Sequence, residues 1–164
     1  MHEPFHIESS TPARCFELTA YRLQDVPDMH RDLPTESGAI RRDDAGRTHL
    51  YFSPGRWLTV CSLASTVPFE LPEKLAVVNV SGKWKLLRLS GADAEGVLRF
   101  QLPVHEIFTS RACVATMIFD CPALLTRDTD GFDVWTHASY REHLCSALTE
   151  AHRNFRRATQ PDVV

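Results

Sequence analysis

Eight histidines and five cysteines are the residues of this 164-residue chain best equipped for chemistry, and their spacing argues against most of it. His137 and His143 are followed by Cys145, but positions two apart on a helix point about 200° away from one another, so His143 and Cys145 cannot close on one metal. The chain has no Cys-x-x-Cys pair, and His137 reads as a polar residue at the start of a helix. Cys121, in a turn before Pro122, is the thiol expected to be most exposed and reactive; its plainer reading is a turn residue half packed under a sheet. No Gly-x-Gly-x-x-Gly follows a strand and no Gly-x-x-x-x-Gly-Lys-Ser/Thr occurs, so a dinucleotide or nucleoside triphosphate bound in the usual way is unsupported. No catalytic, cofactor-binding or metal-ligating residue is assigned.

The elements that would position such residues are clearest between Leu75 and Leu148. A β-branched run, Leu75 to Val80, turns at Ser81-Gly82 and returns as Trp84 to Leu89, which predicts a hairpin. Ser90 with Asp93 is a weak capping-box signal, and Ala94, Val97, Leu98 and Leu102 recur at helical spacing until Pro103. Three strand-like runs follow, Cys113–Phe119, Ala123–Arg127 and Phe132–Thr136, joined by short polar turns. A second helix begins at Ser139 or Tyr140, with Tyr140, Leu144, Leu148, Ala151 and Phe155 along one face. Hairpin, helix, strands, helix predicts an α+β fold: antiparallel sheets with helices on one face, the second half a split βαβ, ferredoxin-like unit.

The first half is thinner. Arg14–Leu23 alternates as one strand, and His49–Phe52 with Trp57–Ser62 forms a hairpin around Ser53-Pro54-Gly55. Residues 25–46 are polar, and Arg41-Arg42-Asp43-Asp44 reads as a solvated loop. Pro68 and Pro72 forbid a long regular helix between Ala64 and Lys74. The expected divisions are an N-terminal tail (1–13), a first subdomain (14–74), a second (75–155) and a C-terminal tail (156–164).

Hydrophobic and charged contents of 43% and 24% are ordinary for a folded domain. A net charge of -3 without a basic stripe gives no reason to expect nucleic acid. No apolar run approaches the ~18 residues of a membrane span, the N-terminus lacks a secretory signal, and an odd number of cysteines in apolar patterns suits a reduced, cytoplasmic protein.

The strings Ala76-Val77-Val78-Asn79-Val80-Ser81, Leu86-Leu87-Arg88-Leu89-Ser90-Gly91-Ala92-Asp93-Ala94, Val97-Leu98 and Leu102-Pro103-Val104 resemble the gamma subunit of heterotetrameric sarcosine oxidase. So do Ala123-Leu124-Leu125, Phe132-Asp133-Val134-Trp135, Ala138-Ser139-Tyr140-Arg141 and, upstream, Leu50 to Leu58. The Leu-Ser-Gly-x-Asp-Ala segment is shared with the folate-binding aminomethyltransferase (glycine cleavage T-protein) superfamily. The resemblance implies an aminomethyltransferase-like fold whose first half is reduced, with helices trimmed between Asp25 and Gly46 and between Ala64 and Lys74. It implies a non-catalytic gamma-type subunit of a complex that oxidatively demethylates sarcosine or a related N-methyl amino acid, an oxidoreductase of sarcosine catabolism and one-carbon metabolism. FAD, FMN, NAD and tetrahydrofolate would belong to the partner chains, a large alpha subunit and a flavoprotein beta subunit.

Two departures speak against carrying a catalytic residue across. An acidic strand end of the superfamily is here Asn79, which cannot act as a general base, and an Asp common after Leu-Pro-Val is here His105. Asp93 is explained by its place in the first turn of a helix. The rival reading is a stand-alone folate-binding or aminomethyltransferase-like protein, which would need about twice this length and an acid near Asn79. If the first-half sheet keeps an uncovered apolar face, Tyr51 and Trp57 are the expected interface anchors, and the isolated chain should form a homo-oligomer or aggregate.

Overall fold

The computed structural model describes residues 5–12, 14–24, 33–36, 38–61 and 74–159. In chain order the strands are β1 (His6–Ser10), β2 (Arg14–Ala20), β3 (Ile40–Arg42), β4 (Thr48–Ser53), β5 (Arg56–Cys61), β6 (Leu75–Asn79), β7 (Trp84–Ser90), β8 (Cys113–Ile118), β9 (Cys121–Asp128) and β10 (Gly131–His137). Helices α1 (Ala94–Arg99) and α2 (Val104–Ile107) lie between β7 and β8, and α3 (Arg141–Thr159) follows β10 after a 3-10 turn, Ala138–Tyr140. The strands make two five-stranded sheets, sheet I in the order β1-β7-β10-β9-β8 and sheet II in the order β3-β4-β5-β2-β6. Every pairing is antiparallel, so the fold is α+β as the element order predicts.

Period-two alternation sorts the side chains into three apolar layers. The helices cover one face of sheet I: Val97, Leu98, Leu144 and Leu148, all fully buried, meet Leu87, Leu89, Leu125, Phe132 and Val134. The other face of sheet I packs on sheet II through Trp84, Cys113, Leu124 and Trp135 against Cys15, Leu50, Leu58 and Val80. The outer face of sheet II gathers Leu18, Tyr51, Trp57 and Leu75 beneath Leu33.

Several expectations change. Residues 75–89 are not a hairpin: β6 pairs with β2 in sheet II, while β7 pairs with β1 and β10 in sheet I. The chain does reverse at Gly82 (φ 85°), and Lys83 N–H donates to the Val80 carbonyl at 2.9 Å. Turn chemistry specifies that local reversal equally well for a hairpin and for a corner between two packed sheets, and here the open edges on β2 and β7 decide the pairing. Residues 6–10, placed above in a tail, form β1 along β7. β3, also unforeseen, lies in the stretch read as a solvated loop. Tyr140, expected on the apolar face of the second helix, is 38% exposed on the 3-10 turn that precedes α3. The trimmed helices of the first half fall largely on residues 25–32, 37 and 62–73, outside the described residues.

Candidate functional site

The outer face of sheet II carries the cluster closest to a catalytic constellation. His49 and Thr59 are cross-strand partners on β4 and β5, and the His49 Nδ1 lies 2.9 Å from the Thr59 hydroxyl. The other ring nitrogen, Nε2, is 3.2 Å from Asp43 Oδ2. Asp43 opens a turn that Gly46 closes (Gly46 N–H to Asp43 carbonyl, 3.0 Å), which brings the Arg47 amide to Asp43 Oδ1 at 2.8 Å and its guanidinium to Oδ2. Burial alone would raise the Asp43 pKa, but the hydrogen bonds from Arg47 and His49 more than offset it and hold the carboxyl below its usual range. Carboxylate, imidazole and hydroxyl in a line are the parts of a general-base relay. Here His49 is 1% exposed and Thr59 is fully buried, so substrate cannot meet the hydroxyl, and the line satisfies buried polar groups instead. The sequence reading missed Asp43 by treating its charge run as solvated. Asp followed three residues later by Gly is the available signal, since it marks a turn that fixes the Asp side chain.

The thiols are shifted away from the thiolate form. Burial pushes Cys15 and Cys113 up to about 12, Cys15 with a further contribution from Cys61, and it raises Cys61, Cys121 and Cys145. Cys121, expected to be the most exposed, is only 1% exposed: it starts β9 and faces the helices rather than the turn. The turn itself is Phe119-Asp120, both at positive φ (47° and 61°).

His137 does sit at the start of the 3-10 turn, its ring edge-on to Trp84 at 4.6 Å, and burial followed by the charge on Lys83 lowers its pKa. Trp84 also donates to Glu17 at 3.0 Å, and Lys83 reaches the same carboxylate oxygen at 2.7 Å. His143 is exposed on α3, and among the described residues no group of three or more His, Cys, Asp or Glu is placed to hold a metal ion. Asn79 ends β6 and accepts from the Ser81 amide at 3.0 Å. Asp93, at the N-cap of α1, makes no capping hydrogen bond; it contacts His152 Nε2 at 3.0 Å and Arg156 at 3.6 Å, tying α1 to α3. His105 contacts Glu95 at 3.1 Å, and Glu95 also meets Arg99 and Arg127.

Tyr51 and Trp57 do come together, stacked at 4.9 Å, but not on an open surface. Trp57 is fully buried and Tyr51 is 5% exposed. The Trp57 indole N–H donates to the Pro34 carbonyl at 2.8 Å, and the Tyr51 hydroxyl accepts from the Gly55 amide at 2.8 Å. Their own chain covers them, so neither is the exposed anchor that was expected. Surface relief is found instead on the helical layer. Three open hollows of about 460, 540 and 430 Å³ share Phe100 as a wall, and Phe100 is 53% exposed. The third is lined by Phe119, Ala147 and Ala151 besides Phe100.

No protein-family model matches this chain, and no curated protein matches it. Among solved structures, a chain of the heterotetrameric sarcosine oxidase from Corynebacterium sp. U-96, in complex with pyrrole 2-carboxylate, has the same fold. The TM-score is 0.71 at 21% sequence identity, and the match covers 92% of this chain and 85% of that one. The two chains are therefore of nearly equal length. No helix among the described residues is long and apolar enough to cross a membrane.

Proposed function

We propose that this chain is a non-catalytic, gamma-type subunit of a sarcosine-oxidase-like complex, which oxidatively demethylates sarcosine or a related N-methyl amino acid. One observation carries the reading: the fold matches a small chain of such a heterotetramer almost end to end. The resemblance in Leu86 to Ala94, Ala123 to Leu125, Phe132 to Trp135 and Ala138 to Arg141 supports it as well; those residues lie in β7, β9, β10, the 3-10 turn and the starts of α1 and α3. The pairing of His49 and Asp43, both buried, with groups of this chain is in keeping with a supporting role. FAD, FMN, NAD and tetrahydrofolate are then assigned to the large alpha and flavoprotein beta subunits, and this chain supplies contact surface to them.

Co-expression with the alpha and beta chains tests the proposal. The expected result is one species containing all of them, with flavin absorbance and sarcosine-dependent oxygen uptake, while this chain purified alone shows neither. Turnover of sarcosine by the single chain, or its exclusion from the co-expressed assembly, overturns the reading. Neighbouring genes for a large flavoprotein and a small zinc-binding chain would support it from an independent direction.

A further inference from the structure

The two sheets end in four edge strands, β1 and β8 in sheet I and β3 and β6 in sheet II. An edge presents unpaired backbone donors and acceptors to any strand that meets it, and charged side chains along it are a common guard. β1 carries Glu8, and β3 carries Arg41 and Arg42. β8, Cys113-Val114-Ala115-Thr116-Met117-Ile118, has no charge and no proline, and its ladder with β9 runs without a bulge from end to end. β6 is uncharged as well, but the chain just before it lies outside the described residues.

Pro122 fixes which backbone groups of β8 point outward. Met117 faces Pro122 on β9, and proline has no N–H to give, so Met117 turns its own N–H and C=O away from β9. Alternation then bonds Val114, Thr116 and Ile118 to β9 and turns Cys113 and Ala115 outward. Cys113 agrees with this parity: its N–H donates to the Gly38 carbonyl at 2.8 Å. The Ala112 N–H reaches the same carbonyl at 2.9 Å, so residue 38 closes this end of the edge. From Val114 to Ile118 the edge is open. Among the described residues the outward backbone groups of Ala115 and Met117 have no hydrogen-bond partner. Their side chains are exposed too, Met117 at 51%.

The open window, 114–118, is centred on Thr116. We propose that a second copy of this chain closes it, the two β8 strands running antiparallel about a twofold axis at Thr116. In that register Ala115 meets Met117 of the other copy and exchanges both backbone bonds with it, and symmetry repeats the pair. The side chains are complementary: Met117 lies against alanine, Val114 beside Ile118 of the other copy, and Thr116 opposite Thr116, a favourable cross-strand pair. Charge agrees at the two ends. The register sets Asp120 opposite position 112, next to Arg111 of the other copy. Both residues are exposed, and neither has an ion-pair partner among the described residues. The pairing concerns the free chain and does not rest on the subunit reading.

Sedimentation of the full-length chain should give a dimer that dissociates on dilution, and Met117→Lys, at an exposed position, should give a monomer with unchanged circular dichroism. Thr116→Cys tests the register. Directly opposed strand positions lie within disulfide reach, so oxidation should yield a covalent dimer on a non-reducing gel, which neither the unmodified chain nor Val114→Cys gives. A monomer at every concentration, a dimer of Met117→Lys, or no cross-link through a folded Thr116→Cys chain overturns the proposal. Should a variant fail to fold, hydrogen exchange in the unmodified chain decides it. The Ala115 and Met117 amides should be protected at high concentration and lose protection on dilution; fast exchange throughout overturns the pairing. Co-expression with the alpha and beta chains separates this from the subunit reading. A monomeric free chain whose Met117→Lys variant alone is left out of the assembly gives the edge to a partner strand, which overturns the second copy and leaves the subunit reading standing. A dimer that stays out of the assembly does the reverse.

Discussion

Equivalent rows of the two sheets are covered in different ways, and the coverings explain the residues beneath them. In sheet I the row through Leu89 and Phe132 lies under helices, whose backbone groups bond within the helix, so aliphatic and aromatic packing suffices there. In sheet II the row through Leu18 and Trp57 lies under Leu33, in a segment without regular structure. A covering segment of that kind brings backbone carbonyls that need donors, and Trp57 answers with its indole N–H on Pro34. The adjacent row shows the same logic: Val134 and Leu125 under the helices correspond to Thr59 and His49 near the 43–47 turn. A sheet face closed by loops becomes polar at defined points, and its stability then depends on hydrogen bonds as well as on apolar area.

The largest effects should come from removing the central side chain of each layer. Trp57→Ala is expected to cost roughly 3–5 kcal/mol and Leu98→Ala roughly 2–5 kcal/mol in denaturant unfolding, since both side chains are fully buried. The discriminating variant is Trp57→Phe. It keeps most of the apolar volume but strands the Pro34 carbonyl, so a loss of about 1–3 kcal/mol is expected. An unchanged stability would break the argument that a loop covering needs a donor from the sheet.

Next in size is the Asp43 relay, which has no counterpart under the helices. Asp43→Asn should cost about 1–3 kcal/mol, because His49 and Arg47 lose a buried charged acceptor. The Asp43 pKa is lowered in the folded chain, so its contribution is complete above the unfolded value of about 3.9 and is lost as pH falls through the folded value. The difference in stability between wild type and Asp43→Asn should accordingly shrink below about pH 4. A constant difference across that window would mean that the carboxylate is not held by its partners.

A smaller effect probes the helical layer itself. A Cβ on Gly96 would run into the Phe155 ring, which is the reason α1 can lie close to α3. Gly96→Ala gains helix propensity of about 1 kcal/mol, but overpacking costs about 1–3 kcal/mol. The net expectation is a loss of about 1 kcal/mol, set against a gain if Phe155, which is only partly buried, swings aside without cost.

Much of this comparison is legible in the amino-acid order alone. Leu144, Leu148 and Ala151 recur at helical spacing and all are buried, and the 113–137 meander follows from β-rich runs separated by short turns. β1 was not readable because His6-Ile7-Glu8-Ser9-Ser10 offers one apolar residue, and an edge strand with a single partly buried side chain carries no alternation. Three-residue β3 is too short for any period to show. The placing of β6 and β7 in different sheets was hidden because Ser81-Gly82 reports a reversal and nothing about which sheet the chain joins next. Tyr51 and Trp57 were placed on a surface because the covering segment around Leu33 has no periodic pattern to announce it.

The smallest expected effect is a chemical one, and it separates the layers by thiol. Cys15 and Cys113 both sit in the cluster between the sheets with pKa values of about 12. At pH 8 a thiol with such a pKa is ionised to about one part in ten thousand, and reaction with iodoacetamide requires the thiolate as well as access. Cys145, on α3, is the one cysteine that is not buried. Mass spectrometry after brief alkylation of the native chain should therefore find Cys145 modified first, Cys61 and Cys121 later, and Cys15 and Cys113 only on unfolding. Modification of Cys15 or Cys113 at the rate of Cys145 would mean that the two sheets separate on the timescale of the reaction.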